Sequence, residues 1–206
     1  RRQRQMCIRD RAQTVPPCTL EITDAETFAR DWTVIDVNSD VSANTWAYND
    51  GNAMYMQDKS NAADDWLIAP AVTLEAGKAY KVSAYVKHSS TFGSDKQKIE
   101  LKIGTAPTVE GLTTRLVYDE SFQSRLFVEK SGTFSPAESG VFYVGLRCYS
   151  ESYNGDLYFQ KIVIEEAPVY PAQITDLSIV AGERGAMSAT LSWTWPSSDH
   201  LGGALS

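Results

Sequence analysis

Alternating oxygen-bearing side chains occur at Asp36, Asn38 and Asp40, where a predicted strand ends. In a tight loop, oxygens at this spacing can face one point, which is the arrangement that a hard cation such as calcium requires. The spacing matches the opening of an EF-hand loop, but Val41 and Ala47 stand where that loop needs Gly and Glu. The sequence therefore predicts a structural calcium site of another kind at Asp36, Asn38 and Asp40, with a solvated turn as the alternative.

A second acidic pair, Asp64 and Asp65, comes directly before Trp66. One interpretation is that the pair supplies a metal ligand from a loop next to the first. In the other, Asp64 caps a turn and Asp65 accepts hydrogen bonds from backbone N–H groups ahead of a buried Trp66. We favour the second, structural interpretation.

Residue types that carry catalysis are scarce in this chain. The two histidines are His88 and His200, and Ser89 and Ser90 follow His88 in a predicted loop without a G-x-S-x-G elbow. Glycoside hydrolysis needs two carboxylates held at a set distance, and the sequence singles out no such pair. We therefore predict that the chain is not an enzyme.

Aromatic side chains in predicted loops are the other candidate site residues. Sugars bind by stacking on exposed rings beside polar groups, and Phe92, Tyr149 and Tyr153 stand in such positions. These three residues are the candidates for ligand binding, and the alternative, which we favour, is ordinary surface packing. The aromatic residues predicted to pack in the core, because they lie within strand patterns, are Trp46, Tyr55, Trp66 and Tyr80.

The elements that position these residues are predicted to be strands. Apolar and polar residues alternate through 78–87 and 97–103, which is the pattern of strands with one buried face. Turn signals separate these segments from further strand candidates. The further candidates are 32–36, 52–56, 66–68, 125–129, 141–147 and 157–165. Many short strands with turns between them predict an all-β sandwich.

Two local features interrupt this pattern. The residues Thr23 to Glu26 form a capping box, which predicts a helix of about two turns that starts there and closes one end of the sandwich. In the last strand, the apolar parity changes between Phe159 and Ile162, which predicts a β-bulge near Gln160 and Lys161.

The composition changes after residue 166. Residues 167–171 form a Pro-containing linker, and the apolar pattern of 172–206 predicts two strands, too few to close a core. We interpret 12–166 as one domain and 172–206 as a second β-sandwich that is truncated.

The N-terminal segment 1–11 differs in composition from the rest of the chain. Its residues can be encoded by a sequencing-library transposon adapter read in frame, so we interpret 1–11 as non-native. The chain carries a net charge of −7, and without the net +4 of this segment the charge is −11. An acidic surface repels phosphate, and no apolar run is long enough for a membrane helix, so we predict neither nucleic-acid binding nor membrane insertion.

Cysteine usage leaves two possibilities open. Cys7 lies in the adapter-like segment, which leaves Cys18 and Cys148, too far apart for a metal-knuckle spacing. They either form one disulfide, as an exported protein allows, or are two separate thiols, which we favour.

Several motifs in 19–166 occur in an order that resembles the cleaved-adhesin, or choice-of-anchor J, family of exported bacterial proteins. The motifs are TWAY at 45–48, ADDWLIAP at 63–70, LEAGKAY at 74–80 and GTAPT at 104–108. The resemblance implies a jelly-roll sandwich similar to galactose-binding and MAM-type domains, and a secreted or outer-surface location. The segment from 172 onward resembles the start of a fibronectin type III domain, with Trp193 as its core tryptophan.

From these observations we expect a non-catalytic binding or adhesion module of a larger secreted or surface-anchored protein. Its expected partners are a glycan or an extracellular protein, together with neighbouring domains of the same chain. The alternative is a structural spacer, or an ancillary domain of a secreted peptidase or glycoside hydrolase.

Overall fold

A computed structural model describes residues 14–39, 44–56, 60–90, 95–168, 170–185 and 187–199. The elements, in chain order, are β1 (Cys18–Glu21), α1 (Ala25–Asp31), β2 (Thr33–Asp36), β3 (Trp46–Asn49), β4 (Asn52–Tyr55), β5 (Asp65–Ile68), β6 (Val72–Leu74), β7 (Tyr80–His88), β8 (Gln97–Gly104), β9 (Thr114–Phe122), β10 (Val128–Phe134), β11 (Gly140–Cys148), β12 (Leu157–Glu166), β13 (Ser178–Ala181) and β14 (Ala189–Ser192). The prediction of an all-β jelly-roll sandwich is confirmed.

Two six-stranded antiparallel sheets make up the sandwich. In the first sheet the strand order is β10-β7-β12-β4-β3, and β1 also pairs with β12. In the second sheet the order is β2-β5-β11-β8-β9, and β6 also pairs with β11. Strands distant in the sequence are therefore neighbours in each sheet.

The core between the sheets is built from the inward residues of the alternating strands. Val82 and Val86 of β7 and Ile99, Leu101 and Ile103 of β8 are all at most 1% exposed. The aromatic residues predicted for the core are buried as well. These are Trp46, Tyr55, Trp66 and Tyr80. Removing this apolar surface from water drives the two sheets together.

The helix begins one residue later than the capping-box pattern implies. Asp24, rather than Thr23, is the N-cap, and its carboxylate accepts a hydrogen bond of 2.7 Å from the backbone N–H of Thr27. Trp32, just after the helix, packs edge-on against Phe159 with 5.2 Å between ring centroids. The helix is thereby attached to the sandwich.

Most strand predictions were correct, including the edge strand β2, but one strand was displaced and four were missed. The predicted strand 125–129 is in fact β10, which runs three residues later, and β1, β3, β6 and β9 were not predicted. Strand β9 is mostly exposed and carries register shifts against β8, so it lacks the alternation that marks a half-buried strand. The bulge predicted in β12 is confirmed by a register shift between Phe159 and Lys161.

The cysteines are separate thiols, as favoured from the sequence. Cys18 and Cys148 are both free. Burial raises the pKa of Cys148 to about 12, so this thiol stays protonated at neutral pH.

Strands β13 and β14 pair in a hairpin whose residues are all exposed. The two strands match the apolar pattern of the predicted second domain, and its fibronectin type III character stays a prediction. None of the helices in the described part of the chain is long and apolar enough to span a membrane.

Candidate functional site

A line of four side chains crosses the outer face of the second sheet. Backbone register places Trp66 of β5 beside Arg147 of β11, Arg147 beside Glu100 of β8, and Glu100 beside Tyr118 of β9. The inward neighbours of these residues belong to the main core, so the four side chains point away from it. Antiparallel pairing therefore brings four distant parts of the sequence into contact.

A β-bulge in β9 adds a fifth residue to this face. Leu101 pairs with Val117, but the next residue of β8, Lys102, pairs with Arg115, which leaves Leu116 as an extra residue. Leu116 and Val117 both pack against the core. Arg115 and Tyr118 consequently share the outer face, which strict alternation would not allow for residues three apart.

The rings and guanidinium groups on this face form a continuous stack. The Arg115 guanidinium lies 4.7 Å from the Tyr118 ring centroid, and the Tyr118 and Tyr149 rings stack at 6.1 Å with an interplanar angle of 25°. Arg147 lies 5.1 Å from the Tyr149 ring and 5.7 Å from the Trp66 ring. We call Trp66, Arg115, Tyr118, Arg147 and Tyr149 the stacking ladder.

Ion pairs hold the arginines in the ladder. Arg147 forms a bidentate ion pair with Asp64. Its Nε and Nη2 donate hydrogen bonds to the two carboxylate oxygens at 2.7 and 2.8 Å. This hydrogen bonding raises the pKa of Arg147. The Glu100 side chain is only 6% exposed, and cations of Lys102, Arg115 and Arg147 lie 3.5, 3.8 and 3.5 Å from it.

The loop 105–113 covers one end of the ladder. Leu112 is buried and packs with Trp66 and Ile68 in a small second core on the outer face. The loop can lie this close because Gly104 has no side chain, since a Cβ there would overlap the carbonyl oxygen of Gly111. Trp66 is 1% exposed beneath this cover, whereas Tyr118 at the other end is 51% exposed. The Tyr118 end of the ladder is therefore its exposed end.

The predicted ligand-binding residues do not form one cluster in the described part of the chain. Tyr149 belongs to the ladder and is half-buried, and burial raises the pKa of its hydroxyl. Tyr153 is 62% exposed at the tip of the following loop, where its φ is +66°, and it stacks on none of the described rings. Phe92 lies outside the described residues. The role of these three residues in binding stays a prediction.

Buried polar contacts fix the loop after Tyr149. The Gln97 amide is fully buried, donates to the carbonyl oxygens of Asn154 and Gly155, and accepts from the Ser150 hydroxyl. The His88 ring, 1% exposed, also contacts the Asn154 carbonyl. His88 thus holds a loop in place rather than facing solvent.

The predicted metal residues are engaged in loop contacts. The Asp36 carboxylate accepts a hydrogen bond of 2.7 Å from the Ser39 N–H, and the Asn38 amide donates to the Ala62 carbonyl at 2.6 Å. Asp40 lies outside the described residues. A hollow of about 550 Å³ is lined by Asn38, Ser39 and residues 61–64. No group of three metal-binding side chains occurs among the described residues, and calcium stays a prediction.

The acidic pair follows the structural interpretation for Asp65 only. Asp65 is fully buried and accepts a hydrogen bond of 3.2 Å from the Asp64 N–H. Asp64 does not cap a turn with its side chain. It binds Arg147 instead, because β5 and β11 are neighbours in the sheet.

Sequence reasoning missed most of the ladder. The alternation in β8 correctly predicts that Glu100, beside the ladder, lies on the outer face, but Arg115 and Tyr118 lie in a strand that was not predicted. Arg147 was included in a predicted strand without a role. The signal that was available is Arg147 itself, a charged residue at an outward position of β11, where it does not pack on the other sheet.

Comparison with solved structures shows the same fold in two domains of Porphyromonas gingivalis W83. The K3 cleaved adhesin domain of Lys-gingipain matches with a TM-score of 0.54 and 11% sequence identity, covering 71% of this chain and 98% of that domain. The K1 cleaved adhesin domain matches with a TM-score of 0.50 and 14% identity, covering 73% and 99%. No protein-family model and no curated protein matches the sequence. These likenesses confirm the jelly-roll fold that the sequence motifs implied.

Proposed function

We propose that this chain is a non-catalytic, extracellular binding module that recognises glycans on the stacking ladder. The observation that carries the proposal is the half-exposed Tyr118 ring, held on an open sheet face between Arg115 and Tyr149. A sugar packs its C–H groups against exposed aromatic surface, here the part of Tyr118 that Arg115 and Tyr149 leave uncovered, while neighbouring charged groups bind its hydroxyls.

The rigidity of the ladder supports a binding role. Arg147 is fixed by Asp64 and by two rings, and Tyr149 is fixed by Arg147 and Tyr118. Side chains that are already ordered lose little conformational entropy when a ligand binds. The name of the two similar domains, cleaved adhesins, agrees with a binding role at the surface of a cell.

The contacts of Glu100 and Asp64 favour binding over hydrolysis. The Glu100 carboxylate is nearly buried and is surrounded by three cations, so it does not face a substrate. Both carboxylate oxygens of Asp64 accept hydrogen bonds from Arg147. A glycosidase needs one carboxyl group free to protonate its substrate, which neither residue provides.

The proposal is tested by a glycan-array screen of the full chain, followed by calorimetry with the glycans that bind. We expect Tyr118→Ala to weaken binding by about ten-fold, because an aromatic stack contributes roughly 1.4 kcal/mol. The control is Tyr158→Ala, which removes a half-buried ring from the outer face of the first sheet.

Equal losses in both variants, or none in Tyr118→Ala, would place the binding site elsewhere. A chain that is folded, as its melting curve shows, and that binds no glycan would contradict the proposal. The spacer alternative would then be preferred.

A further inference from the structure

The positive and negative charges on and beside the stacking ladder are equal in number. Three cations lie there, and each forms an ion pair with a carboxylate. The three cations are Lys102, Arg115 and Arg147. The three carboxylates are Asp64, Glu100 and Glu120, the last of which accepts a hydrogen bond from the Tyr118 hydroxyl. These six residues therefore provide no excess charge that would attract an ion.

Glu120 places a negative charge at the exposed end of the ladder. Its side chain is exposed, and it accepts the hydrogen bond from the Tyr118 hydroxyl at 2.6 Å. In the described part of the chain this carboxylate forms no ion pair. A carboxylate can accept several hydrogen bonds, so Glu120 has acceptor capacity left for a ligand. A ligand group that contacts Glu120 must therefore be a hydrogen-bond donor.

Arg115 supplies hydrogen-bond donors beside the same ring. Its guanidinium lies 4.7 Å from the Tyr118 ring centroid, its side chain is 56% exposed, and its distance of 3.8 Å from Glu100 is too long for a hydrogen bond. Tyr118 thus has a donor group over its ring and an acceptor at its hydroxyl. A sugar hydroxyl both donates and accepts, so adjacent hydroxyls match this arrangement. A carboxylate or sulfate only accepts, and Glu120 repels it.

We propose that the ladder selects neutral glycans over anionic ones, and that Glu120 is the residue that sets this preference. This inference rests on the proposed glycan-binding function and names its ligand class. Hydroxyls of a neutral sugar donate to Glu120 and accept from Arg115, while Tyr118 contacts the C–H groups of the sugar. An anionic substituent at the same place lies beside the Glu120 carboxylate and is repelled. The net charge of −7 on the whole chain acts in the same direction.

The test compares neutral glycans with their own sulfated forms as ligands of the full chain. An array carries each neutral oligosaccharide beside its sulfated derivative, among them lactose and sulfated lactose, and calorimetry follows with laminarin and laminarin sulfate. We expect every neutral glycan that binds to do so at least about five-fold more tightly than its sulfated form, because repulsion by one exposed carboxylate is similar in size to one surface ion pair. The affinity for the neutral glycan should not depend on ionic strength, since no ion pair forms.

Two matched variants separate the site from the total charge. Glu120→Gln removes the negative charge beside Tyr118 but keeps an oxygen that accepts from its hydroxyl, so the affinities for the neutral and sulfated forms should come within about two-fold of each other. High salt should weaken the binding of the sulfated form to this variant, because it screens the cations. Glu129→Gln makes the same change of net charge on the outer face of the first sheet and should leave the preference unchanged. Melting curves of both variants verify that they fold.

Each contrary result has a distinct meaning. Sulfated forms that bind the parent chain as tightly as their neutral partners would overturn the inference and leave the glycan-binding function standing. A preference that Glu120→Gln leaves intact, or that Glu129→Gln reduces equally, would also overturn it, because the carboxylate beside Tyr118 would not be its source. Failure to bind laminarin, its sulfate and every glycan of the array would overturn the inference and the proposed function together.

Discussion

The two outer faces of the sandwich carry similar residue types in different arrangements. On the first sheet, Lys87 lies between the rings of Phe127 and Tyr158, at 5.0 and 4.5 Å. On the second sheet, Arg147 lies between the rings of Tyr149 and Trp66. Both faces therefore place a cation between aromatic rings, a contact worth about 0.5–2 kcal/mol.

The faces differ in where their carboxylates lie. Glu129 of the first sheet is 35% exposed and pairs with Lys81 at 2.5 Å, whereas Glu100 of the second sheet is 6% exposed. The loop 105–113 also covers part of the second face. A buried carboxylate has to be paired, so it fixes the cations around it, while an exposed pair is screened by water. The difference explains why Lys102 and Arg115 converge on one carboxylate on the second face.

The largest effect on stability is expected from Gly104→Ala, which fills the space that the loop 105–113 needs to pack on the sheet. Gly104→Ala would place a Cβ against the backbone of Gly111, which cannot move aside as a flexible side chain can. We expect the free energy of unfolding to fall by about 3 kcal/mol, at the upper end for overpacking. Urea denaturation measures this change.

Gly140→Ala is the control for that substitution, because nothing lies within 4 Å of a Cβ at Gly140. An equal loss of stability in both variants would show that the loop does not depend on close contact at Gly104.

The next largest effect is expected from Glu100→Gln, which we compare with Glu129→Gln on the other face. Glu100→Gln removes the charge that Lys102 and Arg115 share and should lower stability by about 2 kcal/mol, because charged groups lose a partner at a nearly buried site. Glu129→Gln removes an exposed pair and should cost less than about 1 kcal/mol. Denaturation of the two variants in parallel checks the order. If Glu129→Gln were the more harmful, burial would not be what distinguishes the faces.

The smallest effect is a pH dependence on the first face. Hydrogen bonds from Lys81 and Ser83 lower the pKa of Glu129 from its ordinary value of 4.5. A carboxyl group whose pKa is lowered by folding stabilises the fold above its ordinary pKa, and the contribution is lost as the pH falls through the folded pKa. The parent chain should melt at a higher temperature than Glu129→Gln above the ordinary pKa of 4.5. This difference in melting temperature should shrink as the pH falls below that value. A difference that stays constant, measured by calorimetry in this range, would exclude Glu129 as its source.

The sequence predicted those parts of the fold whose signal lies within a short stretch of consecutive residues. Alternation in β7 and β8 identified inward residues such as Val82 and Leu101, because a half-buried strand exposes every second residue. The helix after Asp24 and the bulge after Phe159 also left local signals. The edge strand β9 left none, because most of its residues are exposed and its bulge changes the parity.

The candidate site was only partly predictable for the same reason. Tyr149 was singled out as an aromatic residue in a loop, but its partners on the ladder come from three other strands. Asp64 and Arg147 are 83 residues apart in the sequence and form a bidentate pair. Nothing in either local sequence specifies that pairing.

The amino-acid sequence by itself thus determined an all-β sandwich and the inward face of its central strands. Only the tertiary structure decided that Trp66, Glu100, Tyr118 and Arg147 share one line. The physical reason is that side-chain alternation depends on each strand alone, whereas cross-strand neighbours depend on the order and register of strands that the core brings together.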